Sequence, residues 1–514
     1  MNSTRNSRLR KLAAAGIVVL FVAAPLPAQI TGRLPNSSAA EPLSLSDAIR
    51  IATGASEQIG IARAGIVRAR GQVDQARSLL LPQLGTTLNY QKTLQNQFQA
   101  LSKKSGSGNG GGSDSSLADN PLTRIFASRY TMTFGLTAQQ AVFTGGRASA
   151  NIRAARAGRE SAEIGVTSSE AQVVLDVTGA YFDALLADQL VTIAESSLVQ
   201  TERALRQVQL TRNVGSASEF ELVRARVTRD NQRPGWFQSR TNRDVAYVRL
   251  RQLLDFPVDK PLVLSDKPIE STLDARADLP TTITTVNVSA AEALAIDPAI
   301  AARTNAVVAQ TDTSNARRAP VRQALKRVEV ARQQLRATRA QRLPTVGVST
   351  NYQRLAYPSD GLPRSLGDFF PNWTAGIGIS FPFFTGGRVR GEVLAAQASV
   401  QEAEQRLKLA EKGASLDVRV SIAQLEQAEA AWQASVGTQE QATRAYSIAE
   451  VRFREGISTQ IELSETRVQL QQALANRARA ARDLAVARVR VQLLPNLPLS
   501  SGGAVSSTPS GNSP

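Results

Sequence analysis

The chain has 514 residues, 42% of them hydrophobic but only 5% aromatic, and a formal net charge of +17. It contains no Cys and no His, which removes thiol nucleophiles, disulfides, His general bases and most zinc or haem ligation. The positive charge is dispersed Arg alternating with Glu and Asp, with neither a basic face nor a readable motif, so nucleic acid is excluded as a partner.

The N-terminus opens with Arg5, Arg8, Arg10 and Lys11, then an apolar run from Leu12 to Ala24, then Pro25-Leu26-Pro27-Ala28. This order predicts a secretory signal over residues 1–28. The run is short for a membrane anchor, the alternative reading, which needs about 20 residues. Residues 29–44 follow as an extended segment. No later stretch has the continuous apolar length of a spanning helix, so a membrane role for the mature chain requires β-strands.

A first unit is predicted over 45–254: a helix from Leu45 to Leu81, strands over 84–93 and 130–140, a long helix over 147–213 and a return helix over 217–254. In the first strand Leu84, Thr86, Leu88 and Tyr90 alternate with Gly85, Thr87, Asn89 and Gln91; in the second Met132, Phe134, Leu136 and Ala138 alternate with smaller or polar residues. Each is about the length a tilted strand needs to cross a bilayer. The Gly/Ser-rich stretch Ser105–Ser113 lies in the loop between them, which is expected to face outward. Pro234-Gly235 predicts a kink or break in the return helix. Residues 255–289, rich in Pro, Thr and Asp, form a linker.

A second unit over 290–494 has the same order: a helical segment divided at Pro320, strands over 345–354 and 373–383, a long helix over 388–454 and a return helix over 458–494. After it, 495–514 reads as a disordered tail. Phe-Thr-Gly-Gly-Arg occurs at Phe143–Arg147 and again at Phe384–Arg388, and Gly146 to Gly387, Gly215 to Gly456 and Leu253 to Leu494 share an offset of 241 residues. Three landmarks at one offset indicate an internal two-fold repeat. After Gly387 the apolar positions Val389, Val393, Ala396, Val400, Ala403, Leu407, Ala410 and Ala414 step by four and three, a coiled-coil seam. Uninterrupted helices of this length run roughly 100 Å. Both reverse at a Gly, Gly215 and Gly456, with Ser or Thr following to cap the outgoing helix.

Four strands cannot close a barrel, and an open edge in lipid leaves backbone groups unpaired. Oligomerisation is therefore required, and twelve strands from three chains would close. The fold class is a mixed α/β membrane protein: a trimeric α-barrel of long helices with a twelve-stranded β-barrel, four strands per protomer.

Duplicated Leu-Pro before a strand (Leu81-Pro82, Leu343-Pro344), Phe381-Pro382-Phe383-Phe384-Thr385-Gly386-Gly387-Arg388 leading into a long helix, and the turns at Gly215 and Gly456 together resemble the TolC-like outer-membrane factors of Gram-negative bacteria. The likeness covers essentially all of the mature chain. It implies a homotrimeric exit duct in the outer membrane with a long periplasmic extension, working with a periplasmic adaptor and an inner-membrane transporter. It implies no chemistry and no cofactor.

By position, Glu462 and Glu465 match an acidic pair that rings the closed end. Glu221 matches an acidic residue that tethers the gate, and Phe453 falls where some members have a gate Tyr. Ser458 stands where a gate Arg can occur, which leaves Arg452 or Arg454 as partners for Glu221. The alternative for Glu462 and Glu465 is that they are solvated charges at a helix N-terminus. The tip residues Gly215, Ser216, Gly456 and Ile457 are expected to meet the adaptor, or else serve only as turns. Gly145, Gly146, Gly386 and Gly387 are read as strand-to-helix junctions; phosphate binding is excluded because no Lys followed by Ser or Thr completes the loop. The competing functional readings are a non-conducting periplasmic coiled-coil scaffold and an envelope hydrolase.

Overall fold

The computed structural model describes residues 42–94, 130–265, 298–311, 313–358, 361–363 and 365–500. The expected signal, the Gly/Ser-rich loop, most of the inter-unit linker and residues 501–514 lie outside the described residues.

Two helices of equal length set the architecture. After β1 (Pro42–Leu43) come α1 (Leu45–Ala55), α2 (Glu57–Ser78), β2 (Gln83–Lys92), β3 (Tyr130–Phe143) and the 67-residue α3 (Arg147–Asn213). Next come α4 (Glu219–Leu253), β4 (Val263–Leu264), α5 (Pro298–Ala309), α6 (Ala319–Arg339), β5 (Thr345–Ala356) and β6 (Phe369–Ser380). The chain ends in the 67-residue α7 (Arg388–Arg454) and α8 (Gln460–Leu493). The segment read as one helix from Leu45 is two, because Ser56 takes an extended ψ of 125°.

Each long helix is flanked by shorter ones. Helix α3 packs against α2, α4, α6 and α8, and α7 against α6 and α8. Every residue of the seam from Val389 to Ala414 is buried or half-buried. Small seam residues let the axes approach, and the 3–4 spacing keeps one stripe on the partner. The largest apolar cluster lies midway along the long helices, where Val177, Tyr181, Leu250, Leu425, Trp432 and Leu484 meet. There β1 pairs in parallel with β4, and Tyr181 Oη donates to the Leu43 carbonyl at 2.9 Å, tying Pro42–Leu43 and the start of the linker into the bundle.

The other four strands form an antiparallel sheet in the order β2-β3-β5-β6. Its register sets Leu88 beside Phe134, Leu136 beside Tyr352, and Tyr352 beside Trp373. The alternation in all four strands therefore falls on one face: Leu84 and Leu88, Phe134 and Leu136, Val346 and Val348, Ile377 and Ile379. Asn89 with Thr133, Thr137 with Asn351 and Gly347 with Gly378 line the other. The apolar face is uncovered, with Leu84, Trp373 and Ile377 each 75% exposed. Strands β2 and β6 are the two edges, each lacking a neighbour on its outer side.

Several expectations are corrected. The fourth strand runs Phe369–Ser380, not 373–383: Pro382 cannot donate to a ladder, so pairing stops before it. The third extends to Ala356 and the second to Phe143, past a register shift between Ala141 and Phe143. The return helices begin at Glu219 and Gln460, two residues later than expected, because Ser218 and Thr459 serve as caps. Pro234 does not break α4, which runs on through it to Leu253; Pro234 and Asp230, whose carbonyl loses its donor, are both exposed residues. The first residues of the expected tail are packed, with Leu497 4% exposed and the Pro495 carbonyl accepting from Ala319 N at 2.8 Å.

Candidate functional site at the helical tips

Where strand becomes helix, Gly145, Gly146, Gly386 and Gly387 have φ of 61°, 85°, 57° and 87°. Two successive left-handed residues turn the chain sharply, and only Gly takes that conformation without steric cost. The two junctions differ in their surroundings. A Cβ on Gly145 would lie 2.6 Å from Leu343 Cβ, whereas one on Gly386 would meet nothing within 4 Å.

At the far end both hairpins reverse by the same device. Gly215 (φ 81°) and Gly456 (φ 73°) close Schellman turns. Ser216 N donates to Thr211 O and Ile457 N to Arg452 O, both at 2.8 Å. The outgoing helices are capped at once. Ser218 and Glu221 form a reciprocal capping box, and Thr459 Oγ1 accepts from Glu462 N. Ser216, Gly215, Gly456 and Ile457 are all exposed, Ile457 at 69%.

The structure brings some of the candidate gate residues together and keeps others apart. Glu221 is engaged in its own cap, bonding Ser218 N at 3.2 Å, and meets neither Arg452 nor Arg454. Arg452 instead pairs with Glu462, Nη1 to Oε1 at 2.9 Å, across the tip of the second hairpin. Glu465 is exposed one turn further along α8. Phe453 packs on the cluster of the first hairpin (Leu205, Val208, Leu222, Ala225) and on that of the second (Tyr446, Ala449, Leu463, Leu470). It bridges the two clusters, beside Ala204 of α3, which also packs on the second. The Ser458 hydroxyl is buried with no hydrogen-bond partner. Gln460, with its amide turned to satisfy both groups, donates to the Glu221 carbonyl at 3.2 Å and accepts from Ala225 N at 3.1 Å, a second bridge.

Sequence reasoning missed the buried charges that hold the second half together. Arg318 (0% side-chain exposure) lies 2.6 Å from Asp417 (4%), which also accepts from Ser500 Oγ at 3.1 Å. Glu429 sits between Arg303 at 3.3 Å and Arg488 at 3.0 Å. The available signal was an acid on a buried stripe: Glu429 falls among Leu425, Ala428 and Trp432. Among the described residues no group of His, Cys, Asp or Glu could hold a metal ion, and no helix is long and apolar enough to cross a membrane.

The family model for outer membrane efflux proteins matches residues 48–255 and 311–496. The chain belongs to that family. No curated protein matches the sequence. The fold is similar to that of solved outer-membrane proteins: VceC from Vibrio cholerae, at 17% identity and TM-score 0.64, covering 88% of this chain and 96% of that one. The CmeC outer membrane channel of Campylobacter jejuni is similar at 15% identity and TM-score 0.66, covering 89% and 86%. The open state of the MtrE outer membrane channel of Neisseria gonorrhoeae is similar at 17% and 0.63, covering 88% and 89%. As an outer membrane efflux protein the chain is a channel of the Gram-negative outer membrane, and its long helices extend into the periplasm.

Proposed function

We propose that three copies of this efflux protein form one passive exit duct. The observation that carries this reading is a four-stranded sheet with an uncovered apolar face and two unpaired edges. In lipid each free edge would strand a row of polar backbone groups, and only closure removes edges. Pairing β6 of one copy with β2 of the next gives twelve strands, the apolar face outward and the Gly/Thr/Asn face toward the lumen. The helices continue the wall as a periplasmic tunnel. The two units, with equal long helices and matching turns, are read as copies of one ancestral element that doubles each protomer's share of the wall.

The tips are the periplasmic gate. Gly215, Ser216, Gly456 and Ile457 offer an exposed surface to a periplasmic adaptor, which joins the duct to an inner-membrane transporter that supplies the energy. Three-fold symmetry makes Glu462 and Glu465 rings of carboxylates, and such rings focus cations. Phe453 and Gln460 hold the two hairpins together, with Glu221 fixing the start of α4. Planar-bilayer recording of the purified protein tests this. Cation-preferring channels that open further when Phe453→Ala weakens the bridge are expected; a protein that neither inserts nor conducts would favour the scaffold reading.

A further inference from the structure

Between the two hairpins, one turn inward from the gate, lies a hollow of about 20 Å³ that opens partly to solvent. It is walled by Gln200 and Thr201 of α3, Thr228 of α4, Tyr446 of α7, and Ser464 and Arg467 of α8. Arg467 is only 5% exposed, its Nε is buried without a hydrogen-bond partner, and it has no carboxylate partner among the described residues. Burial pulls its pKa below the ordinary guanidinium range, and the one ionisable group acting against this is the phenol of Tyr446. A buried cation without a counter-charge is costly, and such charges are normally paired.

The wall chemistry specifies what the hollow would take. The hydroxyls of Thr201 and Thr228 already donate to carbonyls of their own helices, Leu198 at 2.7 Å and Arg224 at 2.8 Å. The donors left are the Arg467 guanidinium, the Tyr446 phenol, the Ser464 hydroxyl and the Gln200 amide. Donors around a full positive charge, with no carboxylate, select an anion over a metal cation. The space fits a small ion: roughly 10–15 Å³ of it holds one water, so a monatomic anion fills the hollow beside the guanidinium.

We propose that this hollow binds a single halide ion, chloride in the cell, which bridges the α3–α4 and α7–α8 hairpins of one protomer. Bound there, the ion holds the hairpins in the arrangement seen here, so that opening requires its release. That consequence rests on the reading of the tips as a gate; the binding itself does not.

The test is crystallisation of the detergent-extracted full-length protein in bromide, read by anomalous scattering. A bromide peak beside Arg467 in each protomer is expected. An ordered water, or a carboxylate from a neighbouring copy, in that place would overturn the proposal. In parallel, halide should raise the unfolding temperature saturably where gluconate at equal ionic strength does not, and Arg467→Gln should abolish the difference. Should Arg467→Gln fail to fold, Ser464→Ala keeps the charge and should weaken the halide midpoint several-fold; an unchanged midpoint would count against the site. A bromide peak together with conductance indifferent to halide would uphold the site and refute only the gate.

Discussion

Arg452 Nη1 stands 2.9 Å from Glu462 Oε1, so the last turn of α7 is ion-paired to the first turn of α8 across the tip. The two side chains are 48% and 39% exposed, so the pair contributes at most about 1 kcal/mol to stability. Its larger effect is on charge, because the guanidinium neutralises Glu462 while Glu465 stays exposed.

The two acids should therefore differ in weight. Glu465→Gln is expected to lower cation preference on the order of twofold, Glu462→Gln by less, and Arg452→Gln to raise it by releasing Glu462. Reversal potentials under a potassium chloride gradient decide this. Equal effects of the two Glu substitutions would mean that the pair does not persist in the membrane.

Identical motifs should also tolerate mutation differently. Gly386→Ala meets open space and bears only the left-handed penalty, roughly 1–2 kcal/mol. Gly145→Ala bears the same penalty and drives a methyl against Leu343, adding about 1–3 kcal/mol. Thermal unfolding of the extracted protein should rank Gly145→Ala clearly below Gly386→Ala. Matching midpoints would show that the close approach of Leu343 relaxes without cost.

The second half hangs on a buried ion pair. Asp417→Ala leaves Arg318, with no side-chain exposure, uncompensated, and a loss of roughly 3–5 kcal/mol is expected. Because Asp417 also holds Ser500, protease should then cut near residues 495–500 faster than in the parent chain. A loss under about 1 kcal/mol would indicate that the site is wet.

Burial alone marks Asp188 as a pH-sensitive position. Desolvation raises its pKa, with the hydrogen bond from Tyr247 Oη at 2.5 Å acting the other way. A raised carboxylate contributes stability below its unfolded pKa and loses it as pH climbs through the folded value. Asp188→Asn removes that dependence, so its stability relative to the parent should improve as pH rises above about 4, the unfolded value. A relative stability that is flat or declining over this range would contradict the assignment.

The sheet was legible because alternation is a local property and the register obeys it. Spacing alone puts Leu88, Phe134 and Leu136 on an apolar face, and the pairing sets them on the same face. The long helices were legible because no Pro interrupts them and Gly146 and Gly387 mark their starts. What spacing does not carry is the choice of partner. The sequence offers Arg452 or Arg454 to Glu221, but the capping box of Ser218 engages that carboxylate, and Arg452 turns to Glu462. Pro234 reads as a kink or break because a sequence does not tell whether the lost hydrogen bond lies on an exposed face of the helix. Residues 495–500 read as tail because Leu497 has no periodic company, although it is buried in the bundle.

The number of copies in the particle bears most directly on the whole account. Native mass measurement of the detergent-extracted protein should return three chains, held by β6-to-β2 pairing and resistant to dilution. A monomer that nonetheless conducts would mean that four strands seal a pore unaided, against everything inferred from the open edges of the sheet.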